Sequence, residues 1–392
     1  MICSIGFMKH LPGRNTFLIF AVAALCGAMA RAQNLDAIGV TLLRTETTNL
    51  NGAGVRVAQP EAYDPGTTNW EVNPDTVGQP VSLFKYFSSD GTSTSYPNTL
   101  SGASGHAGGV GNEFYGILGG VATNVMHVDN YEANYFYNNI VGSMANINDP
   151  VINQSFTFGP QTIWMQQQID TAYDNYSVAN KTLFISAANN YGTTAPNSTN
   201  VCAPGTSYNC ISVGAYQNGS SANSLGPTID NGRCKPDITA PSGETSFSTP
   251  QVAGAAAVLM QAGLRSDGGS DTNSAADIRT VKALLLNGAV KPSDWTNTAP
   301  SPLDFHYGAG VLNVFNSYKQ LTGGKHGYIV STSVATNSPH LPTGATGTVG
   351  VLSGWDFNTN TSTATTDGVK HYYFNVTNGL NNAQFTATAS SE

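Results

Sequence analysis

The sequence predicts an α/β protein: a mostly parallel, doubly wound sheet with helices on both faces, followed by a small β-rich C-terminal region. Three observations point there. Apolar runs of strand length alternate with longer helical patterns. Several of those runs are apolar throughout, as strands buried on both faces are. Composition then shifts after about residue 321 to Thr, Ser, Gly and Asn with short β-type runs.

In chain order, residues 1–32 read as an export signal. Lys9 and Arg14 give a positive start, TFLIFAVAALCGAMA an apolar stretch, and Ala30-Arg31-Ala32 a small-x-small cleavage site. The apolar stretch is short for a membrane span, which needs about 20 residues. The protein is therefore expected to be secreted, extracellular or periplasmic, with no membrane attachment after cleavage. NGAGVRVA (51–58) is a Gly-bounded strand, and the polar stretch 61–103 reads mostly as loop. GILGGVATNVMHVD (116–129) carries a second strand and VINQSFTFG (151–159) a third. QTIWMQQQIDTAYDNY (161–176) has helical spacing, and KTLFISAANN (181–190) returns to strand. CISVGAY (210–216) and KPDITAP (235–241) are short strands. Helices follow after Pro250 and over AADIRTVKALLLNGA (275–289). The runs HGYIVSTSV, TGTVGVLSGW, HYYFNV and AQFTATA then suggest a small sandwich-like β domain over 322–392. The last of them reaches almost to Glu392, leaving little room to complete it.

Composition narrows the function. Charged residues are only 10% of the 392, and the net charge is −8, which argues against nucleic acid as a partner. Of five cysteines, Cys3 and Cys26 fall in the leader, leaving Cys202, Cys210 and Cys234. A local disulfide across CAPGTSYNC would join Cys202 to Cys210 and leave Cys234 unpaired; other pairings stay open, because sequence carries no geometry. The spacing does not suggest a zinc site.

In open α/β sheets functional groups collect at the carboxyl ends of strands. Glu61, Ser155 and Asn190 follow strand runs, Ser246 precedes a buried helix, and His106 lies in SGHAGGVGN. An acid, an imidazole, an amide and a serine are the parts of an acyl-transfer site. The imidazole takes the serine proton, the carboxylate fixes the imidazole tautomer, and amide donors hold the oxyanion.

The segment SGETSFSTPQVAG (242–254) resembles the nucleophile segment of subtilisin-like serine proteases, Gly-Thr-Ser-x-[Ala/Ser]-[Thr/Ser]-Pro-x-Val-[Ala/Ser]-Gly. Thr245, Ser246, Ser248, Thr249, Pro250, Val252, Ala253 and Gly254 match; Glu244 replaces a glycine and Gln251 a histidine. SAANNYG resembles Ala-Ala-Gly-Asn-x-Gly, KPDITAP resembles Lys-Pro-Asp-[Ile/Val]-x-Ala-Pro, and YGAGVLNV resembles the segment that closes the domain. The resemblance spans roughly residues 52–321 and implies a peptidase domain over 33–321 acting on polypeptides, a monomer being expected. It implies that Ser246 is the nucleophile, His106 the general base, Asn190 the oxyanion amide, and Ser155 and Phe156 the edge that binds substrate as an added strand.

The acid is the most divergent part. Aligning GAGVRVAQPEA on Gly-x-Gly-Val-x-Val-Ala-Val-Ile-Asp-Thr-Gly puts Glu61 at the aspartate, with Asp64 as competitor; His127, inside an apolar run, reads as structural. Residues 33–50 are too few for the folded inhibitory prodomain of many relatives, and Pro241 leads almost directly into Thr245, where many relatives insert a hairpin. Catalysis of this kind needs no cofactor. Many relatives hold structural calcium, but no loop here has a recognisable ligand pattern. Two further readings use the same residues: a subtilase-like binding or adhesion module that no longer cleaves, and an esterase.

Overall fold

A computed structural model describes residues 34–190, 201–217, 220–221, 228–229, 233–297 and 302–328, with pieces at 346–347, 353–359, 370, 372–373 and 388. The export-signal expectation and most of the 322–392 region lie outside the described residues.

The strands are β1 (Arg56–Glu61), β2 (Phe84–Ser88), β3 (Gly91–Ser93), β4 (His127–Glu132), β5 (Val151–Gln154), β6 (Leu183–Ala187), β7 (Ile211–Gln217), β8 (Ser220–Ser221) and β9 (Ile238–Pro241). They form one sheet in the order β3-β2-β4-β1-β5-β6-β7-β8, with β9 also on β7. Every pairing is parallel except β2 with β3 and β7 with β8. The chain starts mid-sheet at β1, runs out to the β2–β3 edge, returns as β4 beside β1, and crosses to β5 on the other side. That reversal of strand order opens a crevice at the carboxyl end of β1, and Glu61 is the last residue of that strand.

Successive residues of each central strand serve opposite faces. Val57, Val151, Leu183 and Ile185 belong to a core shared with the long helix α4 defined below, while Ala58, Ile152 and Phe184 belong to a second core. The principal helices are α1 (Val40–Glu46), α2 (Gly105–Phe114), α3 (Ile163–Asn180), α4 (Thr245–Leu264), α5 (Ile278–Gly288) and α6 (Val314–Thr322). Tyr173 and Tyr176 of α3 pack on Phe184 from the second face, at ring separations of 4.9 and 5.6 Å. The doubly wound expectation holds.

Several expected boundaries move. The first strand begins at Arg56 rather than residue 51, because Gly52 and Gly54 adopt φ of 86° and 79°, which interrupts extended backbone. It runs on through Gln59 and Pro60 to Glu61. Residues 61–103 are mostly irregular, as expected, but β2 and β3 also lie there, hidden in polar composition yet showing the alternation of buried Phe84, Tyr86 and Ser88. Of the strand expected over 116–129, only the last three residues are in β4; the glycines turn the chain, with Gly120 N–H donating to the Gly116 carbonyl at 2.8 Å. Cys202, Cys210 and Cys234 are free thiols, so the Cys202–Cys210 disulfide is not formed. Cys210 Sγ instead faces Ser186 Oγ across to β6 at 3.1 Å, and burial pushes both the Cys202 and Cys210 thiols up to about 11.

Helix α4 is buried along almost its whole length, and it starts at Thr245, so Pro250 lies inside it rather than in its first turn. Gly254 makes its close passage possible: a Cβ there would stand 2.6 Å from Val121 Cβ. Described pieces beyond residue 322 touch this body: the Trp355 indole donates to the Gly268 carbonyl at 3.2 Å.

Candidate active site

Glu61 is fully buried, and its Oε2 lies 2.8 Å from His106 Nδ1. His106 is the second residue of α2. The start of that helix is fixed by Ser104, whose hydroxyl accepts from Ala107 N–H at 2.9 Å and donates to Asp64 Oδ1 at 2.7 Å. Asp64 Oδ2 accepts from Gly105 N–H at 2.9 Å. A carboxylate at a helix N-terminus satisfies unpaired donors and the positive end of the helix dipole. Asp64 is thus committed to the helix cap, and it is Glu61 that reaches the ring.

Burial pushes the His106 imidazolium toward deprotonation. The Glu61 hydrogen bond and charge, with smaller contributions from Asp64 and Glu244, outweigh it and hold His106 above its ordinary value. His127 is remote from this chemistry. It opens β4 opposite Arg56, at the amino end of a strand parallel to β1, five residues from the Glu61 register. Five residues of strand span about 16 Å. There His127 Nε2 meets Asp129 Oδ1 at 2.9 Å.

Ser246 is the second residue of α4. Pro250 has no N–H to offer the carbonyl four residues back, which is that of Ser246. Ser155 Oγ donates to that carbonyl at 2.8 Å, and Asn153 Nδ2 donates to Ser155 Oγ at 3.0 Å. The Ser246 hydroxyl in turn donates to the Ser155 carbonyl at 3.2 Å. The start of α4 and the residue after β5, Ser155, are therefore tied by two reciprocal bonds. Phe247, next to the serine, packs on His106 with ring centroids 5.8 Å apart, and a Cβ on Gly109 of α2 would meet it at 2.7 Å. These contacts bring the starts of α2 and α4 together.

Asn190 Oδ1 accepts from both the N–H and the hydroxyl of Thr245, each at 2.9 Å. A backbone N–H can only donate, so this fixes the amide orientation and leaves the amino group as the end available to a ligand oxygen. Half-buried Phe156 lies edge-on to Phe158 at 6.0 Å. Thus Glu61 meets His106, Ser155 meets Ser246, and Asn190 meets the residue before Ser246. Sequence reasoning missed Gln59, which donates to Glu61, and Tyr115, which donates to Gln59 in turn. The available signal was a glutamine interrupting an apolar run two residues before the acid. Gln251, at the family's histidine, donates to the Pro241 carbonyl at 2.8 Å and to Glu113 Oε2 at 3.2 Å, tying α4 to β9 and α2. Among the described residues no group of three or more His, Cys, Asp or Glu could hold a metal.

The sequence matches the profile of the subtilase family over residues 99–310, more than half of the chain. The chain belongs to the subtilase family. It is a serine-type peptidase of that family, and polypeptides are its substrates. The matched stretch contains His106, Asn190 and Ser246 and leaves out Glu61. Among solved structures this subtilase is similar to the prenylagaramide maturation protease PagA, with 19% identity and a TM-score of 0.51, over 72% of this chain and 99% of that one. It is also similar to the self-cleaved protease domain of PatA, with 20% identity and a TM-score of 0.47, over 70% and 99%. No curated protein matches. No described helix is long and apolar enough to cross a membrane.

Proposed function

We propose that this subtilase is an exported endopeptidase working through Glu61, His106 and Ser246. The observation that carries the reading is the 2.8 Å contact between the fully buried Glu61 carboxylate and His106 Nδ1. It holds the ring as the Nδ1–H tautomer, so that Nε2 is the basic nitrogen. Substrate enters as an extended strand along 155–156. Rotation of Ser246 about χ1 carries its hydroxyl from the Ser155 carbonyl toward His106, which takes the proton as Oγ attacks the peptide carbonyl. The Asn190 amino group and the Ser246 N–H hold the oxyanion, and His106 then protonates the leaving amine. No cofactor takes part. The leader at 1–32 sends the chain out of the cytoplasm, where it acts as a monomer.

Ser246→Ala is expected to abolish casein hydrolysis by the purified full chain; activity that survives in that variant sinks the assignment. One observation favours a second reading, a fold kept for binding: the Ser246 hydroxyl rests on the Ser155 carbonyl and makes no hydrogen bond to His106. A fluorophosphonate probe separates the two. Labelling at Ser246 that heat denaturation abolishes supports the peptidase, and no labelling of folded protein supports the binder.

A further inference from the structure

Strand β1 lies inside a parallel sheet, where apolar residues are expected, yet Gln59 is fully buried there. It precedes Glu61 by two residues, so the two side chains share one face of the strand. A buried amide is costly unless its hydrogen bonds are made. Gln59 Nε2 donates to Glu61 Oε1 at 2.8 Å and to the Ala107 carbonyl at 3.0 Å. A carbonyl can only accept, so the amide orientation is fixed with Nε2 toward the acid. Gln59 Oε1 must then accept, and the donor is the Tyr115 hydroxyl at 2.5 Å. Tyr115, also fully buried, is the C-cap of α2. Burial, with Tyr86 and Glu61 nearby, holds its hydroxyl well above the ordinary tyrosine value, so it remains a donor.

We propose that Gln59 and Tyr115 are positioning residues, a clamp that holds the Glu61 carboxylate against His106 and so suits a glutamate to a place where the family carries aspartate. The inference rests on the catalytic reading above. Glutamate has one more rotatable bond than aspartate, and its carboxylate can meet His106 only when that extra torsion is held. The clamp holds it from one side while His106 meets the other oxygen. Because Gln59 also grips Ala107, next to His106, and Tyr115 at the far end of α2, acid and histidine are set from one amide. Both Glu61 oxygens are then occupied by donors, one from Gln59 and one from His106.

The test uses the full chain with Gln59→Leu and Tyr115→Phe. A hydrogen bond to a charged group is typically worth about 10–100-fold in a rate or equilibrium constant, and Gln59→Leu is expected to lower kcat by about that factor with KM unchanged. Tyr115→Phe is expected to act in the same direction by less. His106 would keep its burial but lose a fixed partner, so the acid limb of kcat/KM should move to lower pH; Glu61, Asp64 and Glu244 are the charges bearing on that ring. A second readout needs no turnover. In a Ser246→Ala background, the low-field Nδ1 proton resonance of His106 should be present and should broaden or vanish with Gln59→Leu. Parental kcat together with an unchanged resonance overturns the clamp. Should Gln59→Leu not fold, Tyr115→Phe, which removes one hydroxyl, carries the same two readouts, and the same pair of results overturns the clamp. A parent that neither cleaves nor labels counts against the triad, and the resonance still decides the clamp.

Discussion

Replacing Glu61 with Gln removes one charge while keeping the shape, and the neighbouring donors dictate the outcome. Gln59 Nε2 is a donor aimed at Oε1 of residue 61. A glutamine there places its own oxygen toward Gln59 and therefore its amino group toward His106 Nδ1. Nδ1 must then accept, which puts the ring proton on Nε2, the nitrogen that should receive the serine proton. The variant has both the wrong tautomer and no carboxylate to stabilise the imidazolium. In serine proteases this class of change costs about 10⁴-fold, or ~5.4 kcal/mol at 1.36 per decade. Steady-state kcat/KM on a peptide substrate across pH measures it. In the parent, the neutral base is lost as pH falls through the raised His106 value, so the acid limb lies above that of an ordinary histidine. In Glu61→Gln that limb should drop, because burial remains and the carboxylate is gone. Asp64→Asn is the control. It weakens the α2 cap by about 1 kcal/mol and should leave kcat/KM within a few-fold of the parent. A Glu61→Gln enzyme within tenfold of the parent, or an Asp64→Asn enzyme damaged as severely, would refute the reasoning.

Two further outcomes concern stability. Asp149 is buried beside Asp129, with Arg56 at 3.3 Å, and His127 also bears on Asp129; burial and then the Asp129 charge push Asp149 up to about 8. Between the ordinary aspartate value and about 8 the native state binds the proton more tightly than the unfolded chain. Stability therefore falls as pH rises through that window, by at most about 1.4 kcal/mol per pH unit. Asp149→Asn should flatten this slope in denaturant titrations at a series of pH values; an unchanged slope contradicts the assignment. Gly254→Val places methyl groups where a Cβ alone would stand 2.6 Å from Val121 Cβ and 3.2 Å from the Phe114 carbonyl. It should destabilise by about 1–3 kcal/mol, the usual cost of overpacking, read as a lowered urea midpoint, and a midpoint equal to the parent's contradicts the close packing.

The alternation of apolar runs and helical patterns was enough to specify a doubly wound sheet, because strands buried on both faces must be largely apolar, as β6 and the start of β7 are apart from Ser186 and Ser212. The positions of Ser246 and Asn190 were legible for a related reason: a serine at a helix start and an amide just past a strand end are set by local backbone, which leaves its mark in contiguous residues. The polar strand β2, and the second half of β4 beyond Asp129, were not legible from composition, since their burial comes from neighbours far along the chain. The acid was legible only through the resemblance, which put Glu61 at the family's aspartate with Asp64 as competitor. The two are three residues apart with the same charge, and local chemistry alone does not rank them. Only when α2 docks does the Ser104 cap take Asp64 and leave Glu61 to the ring. The reach of Gln59 to Glu61, Ala107 and Tyr115 is likewise a product of packing. Sequence named the parts that local backbone positions; tertiary structure decided which acid meets the histidine, because that choice rests on hydrogen bonds between residues 40 or more positions apart.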